Sequence, residues 1–317
     1  MAKVKIGLAL GGGAARGWAH IGVLRTLLEA GIVPDVVAGT SIGAVVGGCY
    51  VASRLDEVEH FARDLTRRKV FGFLDFNMKG SGLITGQRLC DRLASHLGDR
   101  TIESLETSFC AVATEIGTGH EIWLSRGRLV DAMRASYALP GIFRPVQISG
   151  RWLFDGALVN PVPVSVCRAL GARYVIAVNL NADMCGRGAV VPHASPIPEE
   201  APIEGSETTE PQPANGRAAL KLVQRQLFGR GEDAPGISTV VVEALNIVQD
   251  RIARSRLAGD PPDALVSPRL ANIGPFDFHC AERLIECGAA ATRRELEDIR
   301  HEIEARRSFE PRIRSRG

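Results

Sequence analysis

The pentapeptide Gly39-Thr40-Ser41-Ile42-Gly43 is the feature that most constrains what this chain can fold into. It follows an apolar run over residues 32–38 and precedes a helix-like stretch over residues 44–52, so the sequence predicts a strand, a sharp turn and a helix. Ser41 lies at the apex of that turn, and the flanking glycines let the backbone bend tightly and let a substrate approach. The pattern predicts either a nucleophilic serine or a Gly-rich turn with a capping serine.

Length and composition fit an enzyme. The 317 residues are 45% hydrophobic, enough for the core of one large or two modest domains. The net charge of +2 provides no general basic field, which argues against a function based on nucleic acid. The seven cysteines are scattered without a C-x-x-C pair, so the sequence predicts neither a disulfide framework nor a zinc site and favours a reducing cytoplasm.

No segment of the sequence has the pattern of a signal peptide or a membrane span. The apolar run over residues 6–10 is interrupted by Gly11-Gly12-Gly13 and Arg16 too early for a signal-peptide core. No later apolar run approaches the length of a membrane-spanning helix. We therefore expect a cytoplasmic protein.

The first forty residues predict a strand over residues 4–10, a loop over 11–16, a helix over 17–30 and a second strand over 33–38. Such a unit is right-handed and pairs its strands in parallel, so both Gly-rich turns face the same sheet edge. Ligand sites gather beyond the carboxyl ends of parallel strands. We therefore expect the loop Gly11-Gly12-Gly13-Ala14 next to Ser41, where its N–H groups can bind an oxyanion.

Nucleotide binding is the main alternative function for the Gly-rich loop, but the residues of the loop and their spacing argue against it. A G-x-G-x-x-G fingerprint that starts at Gly11 ends on Arg16, and one that starts at Gly12 has Ala14 in the middle. A ribose-binding acid would lie at the carboxyl end of the second strand, whereas Asp35 precedes that strand. A P-loop requires lysine where Trp18 follows Gly17.

Further along, the sequence predicts a helix over residues 87–97, a strand pair over 109–116 and 120–124, and a helix over 128–137. An apolar strand over 151–154 then leads into Asp155-Gly156. A serine hydroxyl needs a proton acceptor, and Asp155 is a candidate. Asp-Gly is also a common hairpin turn, and the pattern leaves both interpretations open.

The histidines offer no clear general base. We interpret each of them as a surface or core residue, because none has the surroundings of a catalytic histidine. They are His20, His60, His96, His120, His193, His279 and His301.

Three blocks, taken in this order and position, resemble the patatin-like phospholipases, and most of all the bacterial branch related to neuropathy target esterase. They are residues 11–17 (GGGAARG), residues 39–43 (GTSIG) and Asp155-Gly156-Ala157. Residues 138–146 (ALPGIFRPV) also resemble a stretch typical of that branch. The resemblance covers about residues 4–180 and, more loosely, the last apolar strand and helix.

The resemblance implies a single domain over residues 1–317 with a three-layer α/β/α fold and a mainly parallel central sheet. It implies a Ser-Asp dyad, in which Ser41 is the nucleophile and Asp155 orients the hydroxyl and takes its proton. The substrates it implies are phospholipids or lysophospholipids, cleaved at a carboxylic ester through an acyl-enzyme, with no metal or organic cofactor. The alternative is a catalytically weak regulator that binds lipid or protein on the same fold.

Further roles follow from the resemblance for the two Gly-rich turns. The amides of Gly11, Gly12, Gly13 and Ala14 form the oxyanion hole, Gly39 and Gly43 form the nucleophile elbow, and Arg16 supports the loop. Many relatives have glycine where Ala14 stands, so the identity of the donors stays open.

A dry acyl-chain pocket would make such a dyad effective, because a carboxylate exposed to water is a weak base toward an alcohol. Seven apolar residues are candidates for its lining, with core packing as the alternative. They are Phe71, Phe73, Leu74, Phe76, Leu139, Ile142 and Phe143.

The second half of the chain changes character. Residues 181–236 are rich in proline and glutamate and predict a flexible acidic insertion, either a linker or a lid or regulatory element. Helices over 217–228, 237–257 and 280–307 and a strand over 263–267 are expected around and after it. The arginine-rich tail over residues 308–317 suits either contact with anionic lipid at the inner membrane surface or a solvated terminus.

Overall fold

The computed structural model describes residues 4–73, 87–183, 237–270 and 272–314. The strands are β1 (Ile6–Leu10), β2 (Val36–Thr40), β3 (Ser108–Glu115), β4 (Glu121–Leu124), β5 (Val146–Ile148), β6 (Arg151–Asp155), β7 (Tyr174–Val178) and β8 (Ala264–Val266). The helices are α1 (Ala19–Glu29), α2 (Ile42–Val51), α3 (Leu55–Arg63), α4 (Arg67–Phe73), α5 (Gln87–Leu97), α6 (Leu129–Ser136), α7 (Val164–Ala169), α8 (Ile237–Gly259) and α9 (Ala281–Arg314).

The described strands form one sheet in the order β5-β6-β3-β2-β1-β7-β8, with β4 also paired to β3. From β3 to β8 every neighbouring pair is parallel. Beyond β3 the sheet becomes antiparallel, since β4 and β6 run against β3 and β5 runs against β6. The predicted α/β fold with a mainly parallel sheet is confirmed.

Helices cover both faces of the sheet, which gives the three layers. Strands β1, β2 and β7 are buried along their whole length, as expected of parallel strands covered on both faces. On one face Leu8 and Leu10 of β1 belong to a core that includes residues of α1, α2, α6 and α9. On the other face Ala9 belongs to a second core that includes Val166 of α7 and Ala253 of α8.

Most predicted elements are present. The first strand, helix and second strand form the expected parallel unit, and the predicted strand pair is β3 and β4. The last helix extends to Arg314, beyond the predicted end at residue 307. The helix predicted over 217–228 lies outside the described residues, as does the expected insertion apart from residues 181–183.

The hairpin interpretation of Asp155 is wrong. The turn between β5 and β6 is formed by Ser149 and Gly150, which both have positive φ. Asp155 ends β6, and its side chain caps a 3₁₀ segment over Gly156–Leu158. The carboxylate is therefore carried by a paired strand.

Within the described ranges, no helix combines the length and apolar character needed to cross a bilayer. The longest helix, α9, lies along α1. Its close approach depends on glycine, because a Cβ atom at Gly22 would overlap the carbonyl oxygen of Ile285. A Cβ atom at Gly288 would likewise overlap the carbonyl oxygen of Ala19.

Gly22→Ala should destabilise the fold by about 2–3 kcal/mol, because the added methyl group forces two packed helices apart. This loss outweighs the gain of up to about 1 kcal/mol that alanine brings inside a helix. Gly259→Ala is the matched control, since a Cβ atom there meets nothing within 4 Å. Urea unfolding should show a lower midpoint for Gly22→Ala alone, and equal midpoints for the two variants would contradict the packing argument.

Candidate active site

Ser41 lies between the end of β2 and the start of α2, in a backbone conformation that L-residues rarely adopt. Its φ is 57° and its ψ is −123°, which places strain at this turn. Its N–H donates to Ser136 Oγ over 2.9 Å, and Ser136 Oγ donates to the carbonyl oxygen of Val112 over 2.6 Å. Buried Ser136 thus ties the turn to β3, a role that sequence analysis did not identify.

The two glycines of the pentapeptide are required by close backbone approach. A Cβ atom at Gly39 would lie 2.5 Å from the backbone nitrogen of Ala44. A Cβ atom at Gly43 would overlap the carbonyl oxygen of Leu10. Both glycines therefore let α2 begin directly against the ends of β1 and β2.

Asp155 is held on all sides by the sheet and the following turn. Its N–H donates to the carbonyl oxygen of Ala138 over 3.0 Å, and its own carbonyl oxygen accepts from Thr114 Oγ1 over 2.9 Å. Its Oδ1 accepts from the N–H of Ala157 over 2.8 Å. Its Oδ2 accepts from Ser41 Oγ over 2.6 Å, so the structure brings the two predicted residues into direct contact.

Burial of the Asp155 carboxyl group changes its pKa. The residue is 1% exposed, and desolvation raises its pKa to about 6 against the lowering effect of the bonds from Ser41 and Ala157. At neutral pH the group is largely ionised, yet it is far more basic than an ordinary aspartate. It can therefore accept a proton from the hydroxyl that it already contacts.

The Gly-rich loop divides into two parts. The N–H groups of Gly11 and Gly12 donate to the carbonyl oxygens of Val178 and Pro161, over 3.1 and 2.9 Å. These two amides therefore fix the loop and are not free to bind a ligand. The amides of Gly13 and Ala14 have no hydrogen-bond partner among the described residues, and both residues line the cavity beside Ser41.

Arg16 connects the loop to the rest of the chain. Its side chain is buried, Nε donates to the carbonyl oxygen of Ile273 over 2.9 Å, and Nη1 donates to Asn181 Oδ1 over 3.2 Å. The neighbouring N–H of Ala15 donates to the carbonyl oxygen of Pro275. Asn181, which sequence analysis assigned to the insertion, therefore belongs to the support of the loop.

His20 is a second support that sequence analysis did not identify. Its Nε2 lies 2.8 Å from the carbonyl oxygen of Gly11, and since a carbonyl only accepts, Nε2 carries the proton. Burial lowers the pKa of His20 to about 4, so the ring is neutral at physiological pH. The sequence places His20 in a helix, and only the structure shows that this helix passes under the loop.

An open cavity of about 810 Å³, including the solvent at its mouth, lies against Ser41 and Asp155. Its described lining is mainly apolar and includes Leu139, Ile142 and Phe143, three of the residues predicted for an acyl-chain pocket. The side chains of the other four predicted lining residues, Phe71, Phe73, Leu74 and Phe76, lie outside the part of the chain that the structure describes. Helix α8 adds Leu245, Asn246 and Gln249 to the wall.

The described lining contains no histidine. In the same part of the chain, no group of three or more histidine, cysteine, aspartate or glutamate side chains is arranged to hold a metal ion. Among the predicted site residues, Ser41, Asp155, Gly13 and Ala14 line this cavity. Such a set suits nucleophilic attack on an acyl group, with main-chain donors for the developing oxyanion.

Comparison with known proteins identifies relatives of this chain. A family model described as patatin-like phospholipase matches residues 8–168. An uncharacterized NTE family protein of Mycobacterium tuberculosis is 32% identical, and the alignment covers 92% of this chain and 91% of that protein. The lysophospholipase nte1 of Emericella nidulans is 33% identical over 56% of this chain and 12% of its own length.

Among solved structures, VipD from Legionella pneumophila is similar to 94% of this chain and 67% of its own. The sequence identity is 12% and the TM-score is 0.46, too distant a similarity to bear on function.

The Asp155→Asn variant should become increasingly stable relative to the wild type as the pH rises. In the wild type the folded state keeps its proton up to a pKa of about 6, whereas the unfolded state ionises near 3.8. Wild-type stability therefore falls between these two values by up to about 3 kcal/mol, and asparagine, which does not titrate, avoids that loss. Urea unfolding at pH 4 and pH 7 measures the difference, and a gap between the two proteins that does not widen with pH would contradict a raised pKa.

Proposed function

Because the chain belongs to the patatin-like phospholipase family, we propose that it cleaves a carboxylic ester of phospholipids or lysophospholipids through Ser41, Asp155 and an acyl-enzyme intermediate. Lipid acyl hydrolysis is the activity of this family, and the similarity to lysophospholipase nte1 favours monoacyl substrates. The observation that carries the proposal is the hydrogen bond of 2.6 Å between Ser41 Oγ and Asp155 Oδ2, beside an apolar cavity.

The first step is attack by the serine. Asp155 takes the hydroxyl proton of Ser41 as Oγ forms a bond to the carbonyl carbon of the ester. The carbonyl oxygen becomes an oxyanion, and we assign its stabilisation to the amides of Gly13 and Ala14, which lie in the cavity wall and have no hydrogen-bond partner among the described residues. Collapse of this intermediate breaks the ester bond, and the leaving alcohol takes the proton from Asp155.

The second step releases the fatty acid. Water gives a proton to Asp155 and attacks the acyl-enzyme, and the same two amides stabilise the second oxyanion. Ser41 Oγ then leaves and recovers its proton from Asp155. One carboxyl group therefore serves as base and acid in both halves of the reaction.

The apolar cavity supports both substrate binding and catalysis. Side chains such as Ile142 and Phe143 can bury an acyl chain, and an occupied cavity excludes water from the dyad. A carboxylate in such surroundings is a stronger base than one in water. The raised pKa of Asp155 has the same cause, namely its burial.

We also propose peripheral contact with a lipid surface on the cytoplasmic side. Helix α8 lines the cavity with one face and exposes apolar side chains on another, including Ile247, which is 51% exposed, and Val248. An exposed apolar helix face suits the interface of a bilayer. This face would bring the cavity close to its substrate.

Ser41→Ala should abolish covalent labelling by a fluorophosphonate probe, because the probe reacts with an activated serine hydroxyl. Asp155→Asn should lower the rate of ester hydrolysis about a thousandfold, the size of effect typical when a general base is removed. Ser95→Ala, which removes an exposed hydroxyl on α5, should react like the wild type. Absence of labelling and of ester turnover in a folded wild type would favour the regulator over the enzyme.

His279→Gln and His301→Gln should leave ester hydrolysis within about threefold of the wild type. His279 Nε2 accepts from Arg67 Nε over 3.1 Å, and His301 lies exposed on α9. Circular dichroism first establishes that both variants fold, and steady-state kinetics then compares kcat. A loss of about a thousandfold in either variant would replace the dyad with a mechanism that uses histidine.

A further inference from the structure

One short segment of the chain contacts all three parts of the candidate active site. It covers residues 155–161 and begins with the carboxylate of the dyad. The carbonyl oxygen of Asn160 accepts from Thr40 Oγ1 over 2.8 Å, and Thr40 directly precedes the serine of the dyad. The carbonyl oxygen of Pro161 accepts from the N–H of Gly12 over 2.9 Å. The segment therefore connects the base, the strand that ends in the nucleophile and the Gly-rich loop.

The side chain of Asn160 is buried against a charged partner. The residue is 1% exposed, and its Nδ2 donates to Glu121 Oε1 over 2.7 Å. A longer contact of 3.3 Å joins Nδ2 to Ser165 Oγ. Hydrogen bonds to a charged group are stronger than those between neutral groups, and a buried amide that loses its partner is unfavourable. Glu121 therefore fixes the carboxamide and, with it, the residue whose carbonyl oxygen accepts from Thr40.

Glu121 is itself held by two further donors. Arg256 Nη2, from α8, donates to Oε2 over 2.7 Å, and Trp123 Nε1 donates to Oε1 over 2.7 Å. These bonds orient the carboxylate that binds Asn160. None of Asn160, Glu121 and Arg256 is part of the described lining of the cavity beside Ser41. Any effect of these three side chains on the reaction must therefore pass through the backbone.

We propose that Asn160 is a positioning residue for the reaction, and that Glu121 and Arg256 hold its side chain in place. The inference rests on the proposed function, because ester hydrolysis is its readout. A misplacement of reacting groups by about 1 Å can lower a rate about a hundredfold. Loss of the contact between Asn160 and Glu121 should therefore lower kcat. KM should change little, because the described cavity lining keeps all its side chains.

The experiment exchanges donor and acceptor between the two residues. Asn160→Asp replaces the donor amide with a carboxyl group of the same shape, which places two acceptors against each other at pH 8, above the range in which carboxyl groups usually titrate. Adding Glu121→Gln supplies a donor opposite the new acceptor and keeps the charge of the pair. With a p-nitrophenyl ester of a fatty acid, Asn160→Asp should lower kcat about tenfold or more and change KM by less than about twofold. The double variant should recover kcat to within about threefold of the wild type.

Thr292→Val is the control for loss of a buried hydrogen bond elsewhere. Thr292 is buried on α9, and its Oγ1 donates to the carbonyl oxygen of Gly288 over 2.9 Å. This variant should keep the kcat of the wild type at a temperature where circular dichroism shows it folded. Arg256→Met, at an exposed position, provides the test if Asn160→Asp does not fold, and it should lower kcat about threefold without raising KM.

The possible outcomes are distinct. Wild-type kcat in Asn160→Asp, a rise in KM alone, or a loss of kcat that Glu121→Gln does not reverse would overturn the positioning role. If Asn160→Asp does not fold, wild-type kcat in Arg256→Met would overturn it. In each of these cases fluorophosphonate labelling of Ser41 in the wild type leaves the proposed function intact. Absence of both labelling and ester turnover in the folded wild type would overturn the two proposals together.

Discussion

The buried hydrogen bond between Ser41 and Asp155 is the interaction on which the rest of the structure depends. A carboxylate removed from water is unfavourable unless donors surround it, and here the donors are the serine hydroxyl and the Ala157 amide. Both must be held in place, because a side chain free to rotate would let water reach the charge. The paired strand β6, the contact with Ala138 and the bond from Thr114 provide that restraint. The burial that makes the ionised Asp155 carboxylate unfavourable also makes it a stronger base.

Support for this interaction comes from elements far apart in the sequence. The positive φ of Ser41 is maintained by Ser136 of α6, and the Gly-rich loop is fixed by neutral His20 and by buried Arg16. None of these three side chains lines the described cavity. Their bonds restrict the backbone of the loop whose residues Gly13 and Ala14 line the cavity. Such preorganisation is the main means by which main-chain donors stabilise an oxyanion.

Local patterns of apolar residues and glycines were sufficient to predict the parallel sheet, the turn at Ser41 and the neighbouring loop. Such patterns determine the conformation of short stretches of the sequence. The pairing of Ser41 with Asp155 came from family resemblance, since 114 residues separate them and the Asp-Gly pattern alone suggested a hairpin. The supporting roles of His20 and Ser136, and the place of Asn246 in the cavity wall, depend on tertiary packing. Gly11 and Gly12 illustrate the same limit, because the amino-acid sequence does not reveal which loop amides already donate to other backbone carbonyl oxygens.

Because of the register of β3, enzymatic activity can report whether the sheet has assembled correctly. Thr40, the residue before the serine, pairs with Val112, and Asp155 pairs with the next residue, Ala113. One strand therefore aligns the parallel half of the sheet with the antiparallel half. A slip of one position would move the carboxylate to the opposite face and yet leave the overall content of secondary structure almost unchanged. For this molecule, catalytic competence would detect a misassembled sheet that bulk spectroscopy overlooks.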